Sequence, residues 1–443
     1  MTELEYVIKH GGLTSKRLLK KISRRGFGAS ILGGLASMAA SRLIGSPSVS
    51  SAAAAPDFTI AIIPDPQWLA ESCQGDLGEY YSALMTWIVD NKNMTFSSSG
   101  PSFNANIKAV VGVGDCVNST AGPNEYKNAE TAWSILDKNG IAFTTPPGNH
   151  DYVGNSPSSR SNIGAQFATG YFSAANRSSA YGSGISLGNG DVAHWIGSYD
   201  ATGANTAVKF VISGTKMLIL AMDFFAGNAA WSWAYDVMMA NPDCECYITT
   251  HAWLTKRGTR FQRTNTYGPN AFSMGASPYS NSAVEAWTAL GVNTWPNLCG
   301  IFSGHDISGG NIVDTTDVLP EWYWHMVPAK SGSPRRQTVH QLYANAQEID
   351  NSCSASPSMT TGAGQIASVF LLTRRLESGL LEGRMISTQS GDWFGKPPGS
   401  IGANVGGWSA SETLLFSVPF AGLPAGPIPN PIMSVGVRTN LGS

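Results

Sequence analysis

Three short apolar runs separated by two helical patterns set the fold class of this chain. Phe58–Ile63, Ile107–Val113 and Ile141–Thr145 have the length and the β-branched content of buried strands. Between the first two, Gly78–Asn91 places Tyr81, Leu84, Met85 and Ile88 on one face at helical spacing. Between the second and third, Glu125–Asn139 forms another helix, closed by Gly140 as a C-cap. Strand and helix in alternation predict parallel βαβ units, so the fold class is α/β. Strands also read at Thr215–Asp223, Cys246–Thr250 and Cys299–Ser303, with helices at Ala229–Ala240 and Ala283–Leu290. The remainder is mostly strand, at Thr338–Ile349, Ile366–Leu371, Gly383–Ser387 and Leu414–Val418, which predicts a second, mixed sheet. Residues 152–206 and 256–282 are rich in Gly, Ser and Asn and read as long loops, a common seat of function.

Five of the strands end in side chains able to bind a metal. The first delivers Asp65-Pro66-Gln67, the second Gly114-Asp115 and the third Gly148-Asn149-His150-Asp151. Later strands deliver His251 and Gly304-His305-Asp306. Open α/β sheets place ligands at the carboxyl ends of their strands, so these groups should share one edge. Taken singly, each has a plainer role. Gly-Asn-His-Asp suits a turn, Asp115 suits a helix N-cap, and His251 suits a hydrogen-bonded core position. Their joint order and placement favour a metal site. Two carboxylates, two amides and three imidazoles without thiolate suit Mn, Fe or Zn. Such a site fits hydrolysis of a phosphate ester, in which two ions share a carboxylate, acidify a water and clamp the phosphoryl oxygens.

In order and motif chemistry, the stretch from Phe58 to Ser387 resembles the calcineurin-like metallophosphoesterase superfamily. That family shows Asp-x-His, Gly-Asp, Gly-Asn-His-Asp/Glu, a lone His and Gly-His-x-His. The chain is most similar to a bacterial subgroup whose first motif is Asp-x-Gln, and Val339-His340-Gln341-Leu342-Tyr343-Ala344-Asn345 resembles a late strand of that subgroup. The resemblance implies a metallo-dependent phosphatase fold, a two-sheet β-sandwich flanked by helices in four layers, αββα. It implies that Asp115 bridges two metal ions and that Asn149, His251 and His305 complete the second. Asp65 and Gln67 would hold the first. A metal-activated hydroxide would attack phosphorus, His150 would be the general acid for the leaving oxygen, and Asp151 would orient this region. Two positions depart from the pattern: Gln67 replaces a His, and Ile307 stands where the last motif has its second His. Both weaken the first metal position, which Asp306, His325 or His340 could supplement. A non-catalytic or one-metal descendant that binds a phosphorylated or glycosylated ligand is the alternative. Asn118 also replaces the acidic or Tyr residue that many members carry three positions after the bridging Asp.

The amino-terminal segment 1–54 reads as an export signal. Ser23-Arg24-Arg25-Gly26-Phe27 precedes a weakly apolar run, Gly28–Gly45, and then Ser51-Ala52-Ala53-Ala54-Ala55. This resembles a twin-arginine signal and implies passage through the export machinery to the periplasm or the extracellular space. The run carries serines, glycines and Arg42 and is short against the ~20 apolar residues of a membrane span. Residues 55–420 would then form the phosphoesterase domain, with a loop insertion at 152–206, and 421–443 a Pro/Gly-rich tail. Beyond residue 54 the chain holds 20 basic and 28 acidic residues, a net of −8. That balance argues against nucleic acid as the main partner and leaves a small phosphate ester as the expected substrate. Arg335-Arg336 suits phosphate contact or a solvated pair, and Arg336 is the candidate substrate contact. The aromatic residues of 171–199 could stack a sugar or base, although packing is their commoner fate. Six Cys follow residue 54, none in a Cys-x-x-Cys pair, and buried thiols are the simplest reading.

Overall fold

The computed structural model describes residues 56–71, 78–96, 103–122, 124–255, 259–306, 322–328, 338–345, 367–387 and 414–419. All belong to the second of two units, residues 53–443. The candidate signal, the C-terminal tail, Cys73, Ile307, Arg335, Arg336 and Cys353 lie outside the described residues.

The chain folds as an α/β sandwich of two mixed sheets flanked by helices. Its main strands are β1 (Phe58–Ile63), β2 (Ile107–Gly112), β3 (Phe143–Thr144), β4 (Ile185–Gly188), β5 (Asp191–Ser198), β6 (Thr206–Ile212) and β7 (Thr215–Met222). They continue with β8 (Glu245–Thr250), β9 (Leu298–Ser303), β10 (Trp322–Pro328), β11 (Thr338–Ala344), β12 (Ser368–Arg375), β13 (Leu380–Ser387) and β14 (Leu414–Pro419). The helices used below are α1 (Glu79–Asn91), α2 (Glu125–Lys138), α3 (Ala174–Tyr181), α4 (Asn228–Ala240) and α5 (Ala283–Thr288). The six-stranded sheet has the order β14-β13-β12-β1-β2-β3, and the eight-stranded sheet the order β10-β11-β9-β8-β7-β6-β5-β4. The eight-stranded sheet has a parallel centre with antiparallel flanks, whereas the six-stranded sheet is parallel over β1-β2-β3 at one edge and antiparallel from β1 to β14 at the other.

Side-chain alternation builds the layers. Along β1, Ile60 and Ile62 face the second sheet, where they share a core with Val208, Phe210, Ile219, Phe302 and Leu342. Ala61 and Ile63 point the other way, onto α1 and α2, beside Tyr81, Leu84, Trp133 and Leu136. The Trp133 indole N–H donates to Tyr81 Oη at 2.6 Å, tying the two helices together. The second sheet is covered by α4 and α5 through Ala230, Trp231, Ala234, Met238 and Trp287. The result is four layers, helix–sheet–sheet–helix. Each fully buried Leu, Ile or Phe in them contributes roughly 1.5–3 kcal/mol of burial free energy.

Two expectations are corrected. Residues 152–206 are not an unstructured loop: they carry α3, β4 and β5 and extend the second sheet through β6. Their turn chemistry hid the pattern. Asn189 and Gly190 both take positive φ, +56° and +82°, in a tight hairpin, and β5 is only half-buried, so its apolar signal is weak. The strands after residue 366 also do not join the second sheet. They return antiparallel beside β1 in the first. Long-range pairing of this kind has no local sequence signal. Among the described residues no helix is long and apolar enough to cross a membrane.

Candidate metal centre

Because β1, β2, β8 and β9 run with their carboxyl ends together, their following residues converge. Thr249 Oγ1 near the end of β8 donates to the Gly112 carbonyl at the end of β2 at 2.7 Å, joining the sheets at that edge. Asp65, Asp115 and His305 leave their strands at φ +47°, +49° and +77°. Such values are uncommon for non-glycine residues and concentrate at functional sites. The glycines allow the closeness. A Cβ on Gly148 would lie 2.0 Å from Asp115 Oδ1, and one on Gly114 would lie 2.9 Å from His251 Cβ.

Asp115, His251 and His305 form a buried group whose ligand atoms all lie within 4.8 Å of one another. His251 Nε2 is 3.0 Å from Asp115 Oδ2 and 3.1 Å from His305 Nδ1. The other nitrogen of each ring is already committed. His251 Nδ1 donates to the Val113 carbonyl at 2.9 Å, and His305 Nε2 donates to the Tyr267 carbonyl at 3.1 Å. A carbonyl only accepts, so these bonds fix the tautomers and turn His251 Nε2, His305 Nδ1 and Asp115 Oδ2 towards one point. Carbonyl contacts behind ligating imidazoles are the usual support of a metal site.

Electrostatics follow the same arrangement. Burial works to raise Asp115, but His251 and then His150 outweigh it, and the carboxyl titrates below its usual value. Burial works against a charged His251, yet Asp115 outweighs it and pushes the imidazole up to about 9. Burial and then the neighbouring His251 push His305 down to about 3. Without a metal, then, a proton on His251 neutralises the cluster while His305 stays neutral. A metal cation at that point would replace the proton. Asp65, also buried, is held well above the usual carboxylate range by burial and then by Asp115, and it accepts the His305 backbone N–H at 3.3 Å.

Two buried amide oxygens, Gln67 Oε1 and Asn149 Oδ1, have no hydrogen-bond partner. An orphaned oxygen in a buried site costs about 1–3 kcal/mol, and both belong to the residues the sequence selects as ligands. These residues therefore fit a cation. His150 donates its backbone N–H to Asp115 Oδ1 at 2.9 Å, and its Nδ1 donates to the Asn118 carbonyl at 2.6 Å, leaving Nε2 as the available nitrogen. Asn118 is itself held. Its amide donates to Glu71 Oε2 at 3.0 Å, and Glu125 Oε2 accepts the backbone N–H groups of Asn118 and Ser119, both at 2.7 Å. Asp151 Oδ2 accepts the N–H groups of Gly148 at 2.8 Å and Cys116 at 3.1 Å, so it ties two motif loops together. Burial and then Asp115 push Asp151 up to about 8.

Other candidates are placed elsewhere. His340 pairs in register with Gly300, in mid-strand, and its titration is depressed to about 4 by burial and then by Arg374. Arg374 pairs with Glu245 at the start of β8, the end opposite His251, so His340 does not supplement the metal position. The side chain of His325 lies outside the described residues. Tyr171, Phe172 and Tyr181 pack with Phe143, Trp133 and the Arg177 guanidinium rather than forming a stacking platform. Cys116, Cys244, Cys246 and Cys299 are buried. Several contributors carry no sequence signal. Arg160 bridges to Asp223 at 2.9 Å and to the carbonyls of Phe224 and Phe225, both at 2.8 Å, clasping residues 152–163 to the end of β7. The Phe224 ring then packs 5.0 Å from the His305 ring. The Tyr267 carbonyl lies in the second Gly/Ser/Asn-rich segment, whose composition marks a loop but not which backbone oxygen it presents.

No family model matches the chain. The uncharacterized protein YvnB of Bacillus subtilis strain 168 is 26% identical over 290 residues, 66% of this chain but 18% of that protein. The chain thus spans less than a fifth of that relative. A solved structure, the calcineurin-like phosphoesterase YfkN from Bacillus subtilis, is 10% identical and covers 79% of this chain and 96% of its own, with a TM-score of 0.31.

Proposed function

We propose that this chain is a metal-dependent phosphoesterase of the calcineurin-like type. One observation carries the reading: Asp115 Oδ2, His251 Nε2 and His305 Nδ1 converge in a buried cluster with both imidazole tautomers fixed from behind. Asn149, with its unpartnered Oδ1, would complete that position, and Asp65 with Gln67 and the shared Asp115 would hold the other ion. Bound Mn, Fe or Zn supplies Lewis-acid polarisation of a phosphoryl oxygen and lowers the pKa of water. The chain's own residues supply the rest. As the imidazolium, His150 would present Nε2–H to the leaving oxygen, with its Nδ1–H held by the Asn118 carbonyl, and give up the Nε2 proton as the general acid. Asp151 keeps Gly148 and Cys116 in register, so that Asn149 and Asp115 stay aligned. The substrate is a small phosphate mono- or diester, and Arg336 is a candidate contact to it. The twin arginines at 24–25 and the small-residue stretch at 51–55 support export to the periplasm or beyond.

Gln67 favours a second reading. A neutral amide in place of an imidazole holds a cation less tightly, which suits a one-metal protein that binds a phosphorylated ligand without turnover. A panel of phosphate mono- and diesters, assayed with the metal-free chain reloaded with Mn, Fe or Zn, separates the two. Turnover with about two ions per chain supports the enzyme; one ion or none, with no ester hydrolysed, refutes it.

A further inference from the structure

The segment Thr259–Ser282 packs the rings of Phe261, Tyr267 and Phe272 against His305. It supplies the carbonyl that holds His305; its ends are anchored through the Phe261 and Asn281 hydrogen bonds to Trp253, Val284, Phe225 and Ala226, and the Arg263 guanidinium gathers the stretch between them. The Tyr267 carbonyl sits in a tight turn in which Gly268 N–H donates to the Asn265 carbonyl at 2.9 Å. Asn265 Oδ1 in turn accepts the Gln262 N–H at 2.5 Å. The turn is packed closely: a Cβ on Gly268 would lie 2.3 Å from the Gln262 carbonyl oxygen. At its root, Arg263 forms a two-pronged clamp on Glu285, Nε to Oε1 at 3.0 Å and a terminal nitrogen to Oε2 at 2.8 Å. The same guanidinium donates to the Ser280 carbonyl at 2.7 Å, to Ser280 Oγ at 3.2 Å and to the Gly275 carbonyl at 3.3 Å. Glu285 is also the reciprocal partner of Ser282 in the capping box that starts α5. Arg263 thus fastens both ends of residues 263–285 to one helix start. Only the planar five-donor fork of Arg can meet a carboxylate and several carbonyls together.

We propose that Arg263 is a positioning residue for the metal centre: its clasp on Glu285 and Ser280 holds the Tyr267 carbonyl against His305 Nε2 and so keeps Nδ1 facing Asp115 and His251. The proposal rests on the functional reading only in taking Asp115, His251 and His305 as metal ligands. Its consequence is that metal affinity depends on a side chain that touches no ligand. Partners behind metal-bound histidines commonly carry about 10- to 100-fold of metal affinity.

The test uses the full chain and two variants, Arg263→Met and Arg263→Lys, the second keeping the charge without the fork. Zinc affinity is measured by competition with a chelator, and 15N-histidine NMR of the metal-free protein reads the His305 tautomer. The wild type should show the Nε2–H form. Both variants should lose that fixed tautomer and bind zinc about 10- to 100-fold more weakly, with the metal-free melting temperature little changed for Arg263→Lys. An unchanged tautomer and unchanged zinc affinity in Arg263→Lys would overturn the proposal, even if the loop became more open to protease. Failure of the wild type to bind zinc would overturn the metal reading instead, and the tautomer would still decide the role of Arg263.

Discussion

Gly148→Ala is the sharpest perturbation of the centre, because one methyl group would enter a space already filled. The new Cβ would lie 2.0 Å from Asp115 Oδ1, 2.6 Å from its Cγ and 2.6 Å from its backbone nitrogen. Ordinary carbon–oxygen contact needs more than 3 Å, so Asp115 must move by roughly 1 Å. A rotamer change cannot relieve this, since the backbone nitrogen is among the clashing atoms. The backbone of Asp115 is itself held at φ +49° between β2 and the Cys116–Asp151 bond. Overpacking of this kind costs about 1–3 kcal/mol of stability. A misplacement near 1 Å in a reacting site costs about 100-fold in rate. Gly275→Ala is the matched control, because its Cβ would meet nothing closer than 3.4 Å. The assay compares chelator-competition zinc affinity, melting temperature and ester turnover for the two variants. Gly148→Ala should lose about 100-fold in turnover and bind zinc more weakly, with Gly275→Ala close to wild type. Zinc affinity and turnover within about threefold of wild type in Gly148→Ala would refute the claim that Asp115 is held at the centre by this contact.

Three further outcomes are expected. His150→Asn should cut turnover by about 100-fold or more while leaving metal content unchanged, as measured by elemental analysis beside a rate assay. Glu125→Ala should strand the N–H groups of Asn118 and Ser119, costing about 1–3 kcal/mol in chemical denaturation, and should lower kcat more than metal content. His340 carries an acid-side liability. Its titration in the fold is pushed down to about 4, below the ordinary 6.5 of an unfolded chain, so the unfolded state gains a proton first as pH falls. Stability is full above about pH 6.5 and declines to about pH 4, by on the order of 3 kcal/mol at the extreme. In metal-free protein, His340→Gln should flatten that part of the melting-temperature profile, and an unchanged slope would show that another group controls it.

The sequence carries the centre of the fold and little of its margins. Apolar runs such as Phe58–Ile63 and Cys246–Thr250 announce buried parallel strands because both faces are covered, and helices 79–91 and 125–138 follow from their spacing. The strand-end motifs mark Asp65, Asp115, His251 and His305 because chain polarity alone sends them to one edge. Half-buried β5 and the returning β12–β14 are not legible. The first lacks a clean period, and the second depends on pairing across some 300 residues. Arg263, Glu125 and the Tyr267 carbonyl are equally silent, since their roles come from what a loop brings near rather than from any local pattern. His340 shows the converse: it lies in a stretch that resembles the family yet sits beside Arg374, away from the centre.

The central claim is that three atoms of Asp115, His251 and His305 share one metal ion. Calorimetric titration of zinc into metal-free wild type and into Asp115→Asn tests it most directly, with proton release followed in parallel. The wild type should bind at least one ion tightly and release a proton from His251, whereas Asp115→Asn should lose most of that affinity. Equal affinity in the two proteins would contradict the account.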